Sequence, residues 1–490
     1  MPQAASLAWL LVGASLLGAG LRVTIPPAAW LGLIGLLHAS RAMRPVSGLL
    51  LLWPTLWITL VIVRRELMPI PGVAFFGIMG LEAVVLTLPF AADRLAGVRL
   101  GGVASTLVFP MALVSAEFLR SRFMPGATWG SIAYTQYGNL PLMQIAAFVG
   151  IWGITFLIAW VASTFEMAWS RNFDLNLARL PVLTCLVVLG VVVVGGNMRL
   201  VFAPTDRPSI RIAMVNRPVD LFAPGEMAQI AEGRVSPDER PRLAERLTRL
   251  HDWFLDGSRR EARAGARLIA WPEQNLLIFN EDEPAFIARA QQLASDEQIY
   301  LAMGLGTVHV GDARPFENKL ILVDPFGRIL VSYLKTHPVP GWEAGIMRPG
   351  DGRLPVVATR DARMAAAVCY DADFPEFIRQ AGQAHADVLI VPANEWKAIK
   401  NIHAQMAAFR AIENGVSLVR PASSGLSSAF DPWGRVLAVG DFFSVGDRTV
   451  TAQVPVGGIR TLYARTGDVF AWLCITGVVA AIGTATRVGG

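Results

Sequence analysis

The chain has 490 residues, 53% of them hydrophobic and 17% charged, and its mean hydropathy of +0.45 is too high for an ordinary soluble protein, whose apolar share is about 45–50%. The net charge of +5 does not mark a nucleic-acid binder, because the arginines are dispersed or flank apolar runs and no basic stretch interleaves with aromatics; attraction to anionic lipid headgroups accounts for it more simply. Three cysteines, Cys185, Cys369 and Cys474, leave no disulfide framework.

The apolar surplus lies in the first two hundred residues, which contain no lysine. A membrane crossing takes about 20 apolar residues. On that measure seven spans are expected, at 6–21, 28–40, 48–63, 71–90, 102–119, 143–169 and 180–201, with an eighth at 469–486. The first lacks the basic start of a secretory signal peptide. Glu82 falls inside the fourth span and Glu117 near the end of the fifth. An ionisable group at that depth is a functional candidate by default, and bundle packing or a shallow position explains each equally well. The expected organisation is a membrane domain over 1–203, an α/β domain over 208–460 and a C-terminal transmembrane helix over 466–487. With the N-terminus inside, Arg41, Arg44, Arg94, Arg99, Arg171, Arg179 and Arg487 face the cytoplasm and Arg22, Arg64, Arg65, Arg120 and Arg122 face out. Seven against five favours this orientation, which makes the α/β domain extracytoplasmic.

Within that domain strands are expected at 210–215, 268–271, 300–305, 320–324 and 330–334, with helices at 240–264 and 283–298. The string Asp324-Pro-Phe-Gly327 has the composition of a hairpin turn. Strands at 356–359 and 365–369 flank a second turn, followed by a helix at 374–386, a strand at 388–392 and a helix at 401–414 closed by Gly415. Strands at 416–421, 428–430, 436–439 and 449–454 complete the domain, whose mixed order predicts layered packing.

Three polar residues close strand-like segments: Glu273 after Leu268-Ile-Ala-Trp-Pro, Lys335 after Val331-Ser-Tyr-Leu, and Cys369 after Met364-Ala-Ala-Ala-Val. Each has a plain reading alone: an inert core thiol, a turn or cap carboxylate, a solvated lysine. Together, at one sheet edge, they equip a site for acyl transfer through a thioester. A thiol attacks an acyl carbon and splits one hard step into two. A carboxylate relays the protons. An ammonium lowers the thiol pKa and steadies the oxyanion, with backbone N–H groups. No metal site is expected, since His309, His337, His385 and His403 lack ligand spacing. Gly304-Leu-Gly306 lacks the downstream glycine of a phosphate loop, and the chemistry needs no cofactor.

The strings Trp271-Pro272-Glu273, Tyr333-Leu-Lys335-Thr-His337, Cys369-Tyr370-Asp371, Val391-Pro-Ala-Asn394-Glu-Trp396 and Arg410-Ala-Ile-Glu413-Asn-Gly415 resemble the Glu-Lys-Cys pattern of the nitrilase (carbon–nitrogen hydrolase) superfamily. The resemblance implies a four-layer α-β-β-α sandwich, with Glu273, Lys335 and Cys369 catalytic and Glu343 as a supporting acid. Eight spans around such a domain, with Ala116-Glu-Phe-Leu-Arg120 and Gln144-Ile-Ala-Ala-Phe-Val-Gly-Ile-Trp-Gly-Ile-Thr-Phe156, resemble the apolipoprotein N-acyltransferase family of bacterial inner membranes. That resemblance implies a phospholipid acyl donor and a lipoprotein acceptor. The chain departs from the family at Gln274-Asn275, at Asp371, at Asn394-Glu-Trp-Lys397 and in the short stretch from Lys335 to Cys369.

Two functions are therefore carried forward. A lipid-to-amine acyltransferase predicts an apolar groove, with Trp342, Trp396, Ile346 and Met347 as candidate walls; ordinary loop packing is the other reading of these four. A membrane-tethered amidase predicts a closed polar pocket with water as the second nucleophile.

Overall fold

Apolar runs in the first unit become helices because a helix satisfies its own backbone hydrogen bonds where no water can. The computed structural model describes residues 3–217, 222, 225–236, 238–444 and 448–488. The chain divides into two units, Met1–Ala203 with Thr466–Gly490, and Pro204–Arg465.

The first unit holds α1 (Gln3–Val23), α2 (Pro26–Ala42), α3 (Pro45–Arg64), α4 (Gly72–Ala92), α5 (Gly102–Phe123), α6 (Ile151–Ser170) and α7 (Leu175–Val201), joined by the C-terminal helix Val469–Val488. Among the described residues seven helices are long and apolar enough to cross a membrane, six before residue 203 and the C-terminal one. The exception is α2, the expected second span, which has 17 residues. It turns most of its length inward, burying Leu33, Leu36, Leu37 and His38. The expected sixth span is not continuous. Gly150 takes a left-handed φ of +68° and separates the short helices Leu140–Met143 and Ala146–Val149 from α6.

Small residues let α1 and α2 touch backbone to backbone. A Cβ on Gly32 would stand 2.7 Å from the Leu17 nitrogen, and one on Gly13 would stand 2.7 Å from the Leu36 nitrogen. Close approach of this kind is how helices associate where the hydrophobic effect gives no drive. Buried acids in this unit have partners. Arg41 clamps Asp93 through two hydrogen bonds of 2.7 and 2.9 Å and also meets Glu166. Glu82 pairs with Arg64, with Arg120 3.9 Å away. Glu117 accepts from Ser131 Oγ, Thr155 Oγ1 and the Ile132 N–H at 2.7, 2.9 and 2.9 Å.

The second unit is the four-layer sandwich. One mixed sheet is built from β1 (Ser209–Met214), β2 (Leu268–Ala270), β3 (Leu276–Phe279), β4 (Tyr300–Val308), β5 (Phe316–Val323) and β6 (Ile329–Leu334). The other runs from β7 (Val356–Ala358) through β8 (Arg363–Ala366), β9 (Val388–Ile390), β10 (Ser417–Arg420) and β11 (Leu426–Phe430) to β12 (Val436–Asp441), in that spatial order. The last strand, β13 (Val450–Pro455), returns to pair antiparallel with β1. Helices α8 (Arg240–Arg263) and α9 (Glu283–Asp296) cover the first sheet, and α10 (Pro375–Gln383) and α11 (Lys400–Asn414) lie with the second. Leu243, Leu247, Leu250 and Phe254 recur at helical spacing on α8 and are buried, where Leu250 and Phe254 meet Trp271, Ile269 and Phe286.

Strand direction places the site. β1, β2 and β4 are parallel, and two antiparallel steps through β5 make β6 parallel to β4. β8, β9 and β10 are likewise parallel. The carboxyl ends of β2 and β6, and those of β8, β9 and β10, therefore open on common edges, where open α/β sheets bind ligands. Two boundaries differ from expectation. β5 starts at Phe316, four residues before the expected strand, and so contains Asn318. β8 stops at Ala366 rather than running to Cys369, which opens a 3-10 turn, Cys369–Asp373. β3 was not expected, because Leu276–Phe279 follows so closely on the Glu273 turn.

Replacing Gly32 by Leu forces α1 and α2 apart at backbone contact. We expect Gly32→Leu to destabilise the protein by about 1–3 kcal/mol, read as a lower melting temperature in detergent. Gly190→Leu, at a position with open space around its Cβ direction, should leave it unchanged.

Candidate active site

Glu273 sits on a tight turn after β2. Gly304 of β4 makes room for that turn, since a Cβ there would stand 2.9 Å from the Glu273 Cα. The next residue, Gln274, has a φ of +52°. Trp271 anchors the turn from beneath, fully buried, its Nε1 donating to Ser258 Oγ at 2.9 Å. Lys335 follows β6 directly, its backbone N–H donating to the Asn318 carbonyl at 2.9 Å. Cys369 is held in the left-handed region at φ +47°, a strained state for a side-chain-bearing residue that functional sites retain. Its N–H donates to the Pro392 carbonyl at 2.8 Å. Asp371 pins the turn beyond it, accepting from Tyr333 Oη at 2.7 Å, the His337 N–H at 2.8 Å and the Val368 N–H at 3.1 Å.

The three residues converge. Lys335 Nζ lies 2.8 Å from Glu273 Oε1 and 2.8 Å from Glu343 Oε2. The Cys369 thiol lies within the field of the Glu273 carboxylate and the Lys335 ammonium, and Sγ lies 4.0 Å from the Asn394 carbonyl oxygen. Asn318 Nδ2 donates to Glu273 Oε1 at 2.7 Å and to Glu343 Oε1 at 3.0 Å. The Asn394 N–H holds Glu273 Oε2 at 2.8 Å. Glu343 receives two further donors, Gln274 Nε2 at 2.9 Å and the Val339 N–H at 2.6 Å. Gln274, a departure from the family pattern, thus has a place in the cluster. Asn318 escaped the sequence reading because nothing in Phe316-Glu-Asn-Lys separates it from a surface loop.

Burial and charge set the protonation states. Burial opposes a charge on Glu273, but the Lys335 ammonium overrides it and holds the carboxyl below its ordinary value of 4.5. Burial likewise opposes the Lys335 charge, and the Glu273 and Glu343 carboxylates hold that amine well above its ordinary value. For Cys369, burial and the Glu273 carboxylate push the thiol well up, against the smaller pull of Lys335 and Arg420. Lys335 does pull the thiol pKa down, as expected, but burial and the Glu273 carboxylate outweigh it and the net shift is upward. Two carboxylates around one ammonium leave a negative surplus, and a second anion at Sγ is disfavoured. The resting state is a neutral thiol beside an ionised base.

The candidate wall residues scatter. Trp342 is exposed at the start of the short helix Trp342–Ile346, its Nε1 donating to Glu232 at 2.5 Å. Trp396 is half-buried. Met347 is fully buried in a cluster with Leu277, Val308 and Phe316, and Ile346 packs against it. Those two are core residues rather than groove walls.

The carbon–nitrogen hydrolase family profile matches residues 236–464. The profile of the apolipoprotein N-acyltransferase N-terminal domain matches residues 9–164. An apolipoprotein N-acyltransferase of Geobacter metallireducens is 29% identical over 94% of this chain and 91% of its own length. One of Bradyrhizobium diazoefficiens is 24% identical over 80% of this chain and 76% of its own. Among solved structures, an amidase from Nesterenkonia sp. aligns with 54% of this chain and 95% of its own at 21% identity and a TM-score of 0.41. With both halves of the architecture matched, and one relative aligned along 94% of its length, the chain belongs to the apolipoprotein N-acyltransferase family of the carbon–nitrogen hydrolase superfamily.

Proposed function

We propose that this protein moves a fatty acyl group from a phospholipid, through a thioester on Cys369, to the N-terminal amine of a lipoprotein. The observation that carries the reading is the buried ion pair of Lys335 and Glu273, 2.8 Å apart, against the one thiol of the α/β unit. As Sγ attacks the ester carbonyl, its proton passes to Glu273. Glu273 then returns it to the departing lysophospholipid oxygen, leaving a neutral thioester. In the second half the acceptor amine attacks, gives a proton to Glu273, and the thiolate leaves and regains it. Lys335 stays charged throughout and steadies the negative oxygen of each tetrahedral intermediate. Both substrates are lipid-anchored, which suits a site presented by a chain with apolar spans, in the bacterial inner membrane with the α/β unit on the extracytoplasmic face. A site shielded from water favours aminolysis over hydrolysis.

Purified with native lipids, the protein should carry an adduct of fatty-acyl mass on the Cys369 peptide. The adduct should vanish on adding a diacylated lipopeptide and be missing from Cys369→Ala. No adduct, with hydrolysis of small amides instead, would replace this reading by the tethered amidase.

The general-base role gives a second expectation. Glu273→Gln should slow acyl-enzyme formation by roughly 10²–10⁴-fold. Glu273 must be ionised to act, and its carboxyl is held below 4.5. The rate in the unsubstituted protein should therefore stay level as pH falls from about 7 to about 5, and decline only below that. A fall centred near pH 6 would assign the base elsewhere.

A further inference from the structure

A second buried charge cluster lies behind Cys369, and the chemistry above does not use it. His403, in the first turn of α11, is 4% exposed. Its Nε2 lies 3.0 Å from Asp373 Oδ1, and its Nδ1 lies 2.7 Å from Glu395 Oε1. Arg420, at the end of β10, points Nη2 at the same Glu395 oxygen from 2.5 Å and lies 2.9 Å from His403 Nδ1. Arg420 and Glu395 have side chains that are 0% exposed.

The two carboxylates belong to the two segments that must stay in register for catalysis. Asp373 closes the 3-10 turn that Cys369 opens. Glu395 follows Asn394, whose N–H holds Glu273 Oε2 and whose carbonyl faces Sγ. The imidazole ring spans the gap between them. Four buried charges are no more stabilising than well-packed apolar side chains of the same volume, so their use here is explained better by geometry than by stability.

We infer that His403 is a positioning residue: bridging Asp373 and Glu395 beside Arg420, it fixes the Cys369 turn against the segment that orients Glu273. This rests on Cys369 being the nucleophile of the acyl transfer proposed above. Burial opposes a charge on the ring, but Asp373 and Glu395 outweigh both burial and the Arg420 guanidinium and push it up to about 9. The bridge is then doubly protonated at neutral pH, each ring N–H donating to one carboxylate. It loses a donor as pH rises through that value. Lys335 and the Cys369 thiol lie well above their ordinary values, so a loss of rate near pH 9 belongs to His403.

The test uses the full chain in phospholipid nanodiscs and measures single-turnover formation of the Cys369 acyl adduct by mass across pH. The unsubstituted protein should lose rate above about pH 9. His403→Gln should be at least about tenfold slower at neutral pH and lack that limb, and His403→Gln with Asp373→Asn should be no slower than the worse single variant. Asp373→Asn removes a carboxylate that stabilises the charged ring, so its limb should move to lower pH; this variant decides the matter if His403→Gln does not fold. A limb that stays in place in either variant overturns the inference. Alkylation of Cys369 by iodoacetamide needs no lipid and separates the two readings. If no phospholipid adduct forms even on the unsubstituted protein, the donor assignment fails. A His403→Gln protein that melts normally but alkylates at least about tenfold more slowly still supports the bridge, and equal alkylation rates overturn it.

Discussion

Lys335 is the charge on which the active-site arrangement depends. It is 1% exposed and lies between two carboxylates that are themselves buried. An ammonium taken out of water survives as a charge only when it is paired and hydrogen-bonded. Glu273 and Glu343 provide that pairing, and each is tied in turn to a different part of the sandwich. Glu273 is held by Asn318 on β5 and by the Asn394 N–H after β9. Glu343 is held by Gln274, Asn318 and the Val339 N–H. Removing Lys335 leaves two buried carboxylates with no counter-charge, and removing either carboxylate takes away one of the two partners that hold the ammonium, so the three charges form one unit rather than three additive parts.

That unit also explains how the nucleophile is kept. The cluster carries a negative surplus, and Cys369 sits against it on a strained turn, fastened through Pro392, Asp371 and, one step further back, Asp373 and His403. In the proposed mechanism proton transfer to Glu273 and attack by sulfur are then a single event, with geometry in the place of a preformed thiolate.

Much of this was legible in the sequence. Alternating strands and helices ended close to where composition placed them, the Asp324–Gly327 turn formed as its residues require, with Gly327 at φ +77°, and Gly415 took the left-handed cap of α11. Glu273, Lys335 and Cys369 could be singled out because each polar residue ends an apolar segment. Asn318, Glu395, His403 and Arg420 could not. Their surroundings come from segments far apart in sequence, and a polar residue on a strand, beside one or on a helix carries no mark of what it faces. The apolar spans were clear from hydropathy, but the break at Gly150 and the inward burial of α2 depend on a backbone turn and on helix neighbours. The net state of the Cys369 thiol was hidden for a similar reason: the cation that lowers its pKa is visible in the sequence, whereas the burial and the carboxylate field that outweigh it are properties of the folded site.

The neutral thiol bears on durability. Peroxides and disulfides react with the thiolate, not with the thiol, and access decides the rest. Cys369 is 5% exposed and its proton is held on. In the proposed cycle the reactive sulfur therefore exists only during the encounter with an acyl group, and between turnovers it presents little to an oxidant. With Cys369 as the nucleophile and the α/β unit on the extracytoplasmic side, as proposed above, a site of this kind resists oxidation without a resolving cysteine, since all three cysteines are free.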